Sequence, residues 1–163
     1  MIDAETHALS IRVLEACRAR KWMVATAESC TGGLVAGALT EIAGSSDVVD
    51  RGFVTYSNAA KVSLLGVPEA TLAAHGAVSR QTAEAMAQGA LARAGVDLTV
   101  AITGVAGPGG GSVEKPVGLV HFAAAAKDSR LIQREKRYGD IGRSEVRRLA
   151  VIEALDMLLE LAR

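Results

Sequence analysis

Apolar positions recur along this chain with a helical period, then run continuously, then recur again. The changes between these patterns mark the elements. Residues 3–20 place Ala8, Ile11, Leu14 and Ala16 near Cys17, with Arg12, Glu15, Arg18 and Arg20 between them, which predicts an amphipathic helix. Residues 22–27, WMVATA, form a nearly unbroken apolar run that reads as a buried strand. A small polar stretch, ESCTGG at 28–33, leads into a helix over 34–42. A second strand is expected over 51–56. Asn58 then caps a helix that runs to Leu65, and Gly66-Val67-Pro68 breaks it. Pro68 suits the first turn of a short helix ending near His75 and stopped by Gly76. Ser79 with Thr82 and Glu84 opens a long Ala-rich helix to about Arg93, with Met86, Ala90 and Leu91 on one face. LTVAI at 98–102 is the clearest strand and runs straight into a glycine-rich stretch. A strand over 116–125 follows, then a turn at 127–129, then an alternating exposed strand over 131–138. Asp140 is placed to cap a last helix with an apolar stripe of Val146, Leu149, Ile152, Leu155, Leu158 and Leu159. Strands alternating with helices predict an α/β fold.

Composition narrows the picture. A chain of 163 residues, half of them apolar, suits one domain with a substantial core. Aromatics are only 3 %, so that core has to be built from Ala, Val, Leu and Ile with close helix–sheet contacts. Lys plus Arg and Asp plus Glu balance at 18 each, leaving no broad basic footprint for nucleic acid or for a membrane surface. Cys17 and Cys30 lack the spacing of a zinc site or a redox pair; no cofactor is expected. No apolar run reaches membrane-spanning length and no leader pattern opens the chain, which leads to the expectation of a reduced, cytoplasmic domain.

Candidate chemistry concentrates in GSSDVVDRGFVTYSNAAK at 44–61. Ser46, Tyr56 and Lys61 supply a hydroxyl, a phenol and an ammonium. Those are the parts of a serine nucleophile activated by Lys or Tyr instead of His. Ser29 is the rival nucleophile, because strand, serine, helix has the outline of a nucleophile elbow although GxSxG is absent. Ser29, Thr31, Gly32 and Gly33 also read as an anion-binding helix start, or simply as a helix cap. The 103–112 stretch, with Gly104, Gly107, Gly109 and Gly110, leaves the end of a buried strand and suits a ligand cradle. It is not a Walker loop, since no GK[ST] follows. Arg143 in the first turn of the last helix is unfavourable by the helix dipole, which points it at a negative ligand or a carboxylate. His75 at a helix end and His121 within a strand are read first as structural.

AESCTGG (27–33), the 44–61 segment, HGAVS (75–79), TGVAGPGGGSVEKPVG (103–118) and residues 139–147 together resemble the CinA C-terminal domain family, in the same order and with close spacing. The resemblance implies one three-layer α/β/α domain with a mixed sheet over residues 1–163. It implies hydrolysis of the carboxamide of nicotinamide mononucleotide (NMN) to nicotinate mononucleotide and ammonia, in pyridine-nucleotide salvage and without a metal. By motif position it makes Ser46 the nucleophile, Tyr56 and Lys61 its activating groups, Arg143 a substrate-binding residue and His75 a further one. A non-catalytic nucleotide-binding or competence/damage-related adaptor domain is the alternative. The strand at 129–138 and the helix at 145–161 offer surfaces for a homodimer.

Overall fold

The computed structural model describes residues 2–163. Five strands form one mixed sheet in the order β2-β1-β3-β4-β5: β1 Val24–Glu28, β2 Val49–Val54, β3 Leu98–Gly104, β4 Leu119–Ala126 and β5 Leu131–Arg137. β1 pairs parallel with both β2 and β3, whereas β4 pairs antiparallel with β3 and with β5. The helices are α1 Ala4–Arg20, α2 Leu34–Thr40, α3 Asn58–Leu65, α4 Glu69–His75, α5 Arg80–Ala94 and α6 Arg143–Ala162, with a short 3₁₀ turn at Ser45–Asp47. The three-layer α/β/α architecture expected from the sequence is the one found.

Strand alternation divides the two faces by side-chain size. Val100, Ile102, Val120 and Phe122 point into one core with Val13, Leu14 and Cys17 of α1, Leu39 of α2 and Leu155 and Leu158 of α6. Ala101, Ala123 and Ala125 point the other way, against Ala83, Met86, Ala87 and Ala90 of α5 and Leu65 of α3. Small residues on both partners let α5 approach the sheet closely, which is how a chain with few aromatics fills its interior. α3 crosses α5 closer still: a Cβ at Gly89 would lie 1.9 Å from the Leu65 carbonyl oxygen. The apolar stripe of α6 is used up inside the first core, where Val146, Leu155 and Leu158 are fully buried.

Boundaries differ from expectation where caps decide them. Ser57, not Asn58, caps α3, its hydroxyl accepting from the Ala60 N–H at 3.0 Å. Gly142 rather than Asp140 precedes α6, with no side-chain cap. β2 ends at Val54, two residues before Tyr56. Ser79 caps α5 as expected, accepting from the Thr82 N–H.

Candidate active site

From β1 the chain crosses through α2 to β2 on one side, and then through α3, α4 and α5 to β3 on the other. The carboxyl ends of β1 and β3 therefore diverge, and open α/β sheets bind ligands in that crevice. Here the crevice is a cleft of about 280 Å³, close to the lower end of the size range of small-molecule sites. Ser29 and Cys30 line it from the end of β1. Tyr56, Asn58 and Lys61 enter from the segment after β2, Gly104 to Gly110 from the loop after β3, and Arg143 from the start of α6.

Parallel pairing explains why Ser29 and Lys61 meet. Glu28 is in register with Val54, and the Thr55 N–H donates to the Glu28 carbonyl, so the next residue of each strand emerges on the same side. Lys61 lies in the first turn of α3, and helical side chains lean toward the helix N-terminus, back over Thr55. Its Nζ donates to the Thr55 carbonyl at 2.8 Å and sits 3.0 Å from Ser29 Oγ. Lys61 is 1 % exposed and forms no ion pair among the described residues. Burial disfavours its ammonium and lowers its pKa from 10.5. An amine depressed in this way and in contact with a serine hydroxyl can take that hydroxyl's proton. Cys30 does not compete as a nucleophile, because burial pushes its thiol up to about 12.

Ser46 is not part of this constellation. It is exposed in the 3₁₀ turn before β2, whereas Tyr56 follows β2. The six-residue strand between them spans roughly 17 Å at the usual rise, placing Ser46 at the opposite end of the sheet from the cleft. The expectation that Ser46, Tyr56 and Lys61 converge is corrected: Ser29 occupies the place beside Lys61.

The other candidates separate into those that reach the cleft and those that do not. Gly104, Gly107, Gly109, Gly110 and Arg143 line it as expected. Among the described residues Arg143 pairs with no carboxylate; it donates to the Gly107 carbonyl at 2.8 Å and to the Tyr56 hydroxyl at 2.9 Å, joining three walls of the cleft at its mouth. Tyr56 is 64 % exposed there. Thr31, Gly32 and Gly33 do not line the cleft. The helix start they belong to is occupied from within: buried Glu28 accepts from the N–H groups of Val35 at 2.9 Å and Ala36 at 3.0 Å, and from the Thr26 hydroxyl. That removes the expected anion cradle at α2. His75 also lies outside the cleft, on a neighbouring surface hollow with Lys115 and Arg137. His121 is within β4, close to Glu135. Asn58, which sequence reasoning took only as a cap, lines the cleft one helical turn from Lys61.

Comparison with known proteins gives a consistent picture. The model of the CinA C-terminal domain matches residues 6–162. The nicotinamide-nucleotide amidohydrolase PncC of Escherichia coli strain K12 is 54 % identical over 159 residues, covering 97 % of this chain and 95 % of its own length. That of Enterobacter agglomerans is 51 % identical over 160 residues, covering 98 % and 96 %. Among solved structures, the competence/damage inducible protein CihA from Agrobacterium tumefaciens matches with a TM-score of 0.98 at 56 % identity, over 100 % of this chain and 99 % of that one.

Proposed function

The chain belongs to the CinA C-terminal domain family, and from its cleft we propose that it hydrolyses the carboxamide of NMN through Ser29, with Lys61 as general base and acid. The observation that carries the reading is the buried contact of Lys61 Nζ with Ser29 Oγ at 3.0 Å, at the switch point of the sheet. Two near-full-length relatives named as nicotinamide-nucleotide amidohydrolases support the substrate.

In the first half of the reaction, neutral Lys61 accepts the Ser29 proton as Oγ attacks the carboxamide carbon. The carbonyl oxygen takes the negative charge. By analogy with a nucleophile elbow, the N–H of the residue after the serine is the donor placed for that oxygen. Here that is Cys30, whose N–H donates to no backbone carbonyl among the described residues. Losing such a donor typically costs ~10²–10³ in rate. Collapse of the tetrahedral species breaks the C–N bond, and Lys61 returns the proton to the departing nitrogen, giving ammonia and an acyl-serine. Water then adds to the acyl group while Lys61 takes its proton. Cleavage of the ester returns that proton to Ser29 and releases nicotinate mononucleotide. Arg143 and Tyr56 at the mouth, with the 104–110 backbone, are assigned to holding the nucleotide; a guanidinium matches a phosphate well.

Ammonia release from NMN tests the assignment. The wild type is expected to be active, Ser29→Ala to lose at least a thousandfold in kcat, and Ser46→Ala to stay within about twofold, in the presence or absence of a chelator. Full activity in Ser29→Ala would remove the proposed nucleophile, and an inactive wild type would remove the substrate.

A further inference from the structure

Two arginines lie one turn apart on the cleft side of α6. Arg143 reaches the cleft mouth, and Arg147 reaches the turn that carries Ser29. Arg147 Nε donates to the Cys30 carbonyl at 3.1 Å and its Nη2 donates to the Thr31 carbonyl at 3.3 Å. The neighbouring arginines behave differently: Arg148 pairs with Glu145, and Arg134 with Glu153, Asp156 and Glu160. Arg147 forms no ion pair among the described residues, although acidic side chains are near on the same helix. Its fork is committed to two successive backbone carbonyls, which a planar guanidinium meets with donors in fixed, preorganised directions.

We propose that Arg147 is a positioning residue for the acyl-transfer step: it fixes the Cys30–Thr31 peptide and thereby the backbone torsions at Cys30, so that the Ser29 hydroxyl and the Cys30 N–H of the adjoining peptide keep their relative placement. The inference rests on the Ser29 reading above. The 29–33 turn has few other restraints on that side. The Ser29 N–H donates to Ile102 and the Gly32 N–H closes back on the Ser29 carbonyl. Glu28 holds the far end of the turn through the N–H groups of Val35 and Ala36. Between these anchors the carbonyls of Cys30 and Thr31 accept from Arg147, the Thr31 carbonyl also from the Leu34 N–H at 3.0 Å. Rotation of the Cys30–Thr31 peptide would change the backbone torsions at Cys30 and so shift the adjoining Ser29–Cys30 peptide, which carries the donor for the oxyanion. Gly32 lies directly beneath the guanidinium, where an added Cβ would approach Nη2 to 3.3 Å, so the turn and the arginine are packed as one unit. The carbonyl contacts also polarise the Cys30–Thr31 peptide and oppose its reorientation.

The experiment compares wild type, Arg147→Met and Arg147→Lys in two assays, with thermal melts of each. One assay is ammonia release from NMN. The other is the rate at which a fluorophosphonate labels Ser29, which needs the serine, its base and the oxyanion donor but not the natural substrate. Arg147→Met is expected to lower kcat and the labelling rate by about 10- to 100-fold, less than outright loss of an oxyanion donor, with KM within about threefold. Arg147→Lys should recover part of the loss. The acid limb of the pH profile should stay in place, because Arg147 does not touch Lys61. Labelling at the wild-type rate in Arg147→Met overturns the proposal, as does a rate loss that only follows a fall in folded protein. If Arg147→Met does not fold, an undiminished kcat in Arg147→Lys overturns it. A wild type that labels at Ser29 yet releases no ammonia, with Arg147→Met labelling slowly, keeps Arg147 in this role and rejects NMN as substrate. A wild type that does not label rejects both.

Discussion

Lys61 has no carboxylate partner among the described residues and almost no contact with water, a position that serves chemistry better than stability. Its lowered pKa means that the unfolded chain binds this proton more tightly than the folded one. Stability therefore rises with pH between the lowered value and 10.5, and below that window the full cost of burying the ammonium is present. Two outcomes follow at this position. Lys61→Met, which keeps the volume and removes the charge, should abolish ammonia release while melting no lower than wild type at neutral pH, as expected where activity and stability compete. In the wild type, kcat/KM should climb with pH along a limb whose midpoint lies below 10.5, because the neutral amine is the proposed base. A profile that is flat between pH 6 and 10 would remove Lys61 as the base.

At the scale of elements, the same close packing that builds the core also sets the site. α3 presents Lys61 and rests on α5 where Gly89 leaves room for the Leu65 carbonyl. Replacing a helical glycine with alanine ordinarily gains about 1 kcal/mol. At Gly89 the new Cβ would lie 1.9 Å from that oxygen, and the only relief is to separate the two helices. Overpacking of this kind costs about 1–3 kcal/mol or more, so the clash should win. Gly89→Ala should melt several degrees lower and lose kcat as α3 carries Lys61 away from Ser29. Gly37→Ala in α2, where nothing lies within 4 Å, should instead hold or raise the melting temperature. Most elements were legible in the sequence because their periods and caps are local: Ser79 before α5 and the apolar stripe of α6 are examples. The site was only half legible. Ser46 is ten residues from Tyr56 and Ser29 twenty-seven, so proximity along the chain favoured Ser46. Distance in the fold is set by β2, which carries the chain the length of the sheet, and by its parallel pairing with β1, which brings Glu28 beside Val54. The signal was present: two parallel strands joined through a helix end on the same side, and the residues after each strand share a crevice. Applied to β3 alone, that rule found the glycine loop; applied to β1 and β2 together, it selects Ser29.

For the whole molecule, the cleft draws on segments far apart in the chain: residues 29–30, 56–61, 77–78, 103–110 and Arg143. A ligand seated there touches the ends of two parallel strands, the helix that follows β2 and the start of α6, which packs on one face of the sheet beside α1 and α2. Binding to such a site cannot be separated from the global fold, since unfolding any of these parts dismantles it. Ligand binding should therefore raise the melting temperature of the entire domain in one transition. Ser29→Ala is the form to use, because with Ser29 as the proposed nucleophile it should hold NMN without turning it over. With NMN at 100 times its dissociation constant the gain is about 2.7 kcal/mol, or about 5–10 °C for a domain of this size. Arg143→Met should need more NMN for the same shift if the guanidinium holds the nucleotide, whereas Ser46→Ala added to Ser29→Ala should leave it unchanged. A shift with NMN but no ammonia release by the wild type would favour the non-catalytic nucleotide-binding alternative. No shift at saturating NMN, with the fold intact, would remove the nucleotide from this cleft.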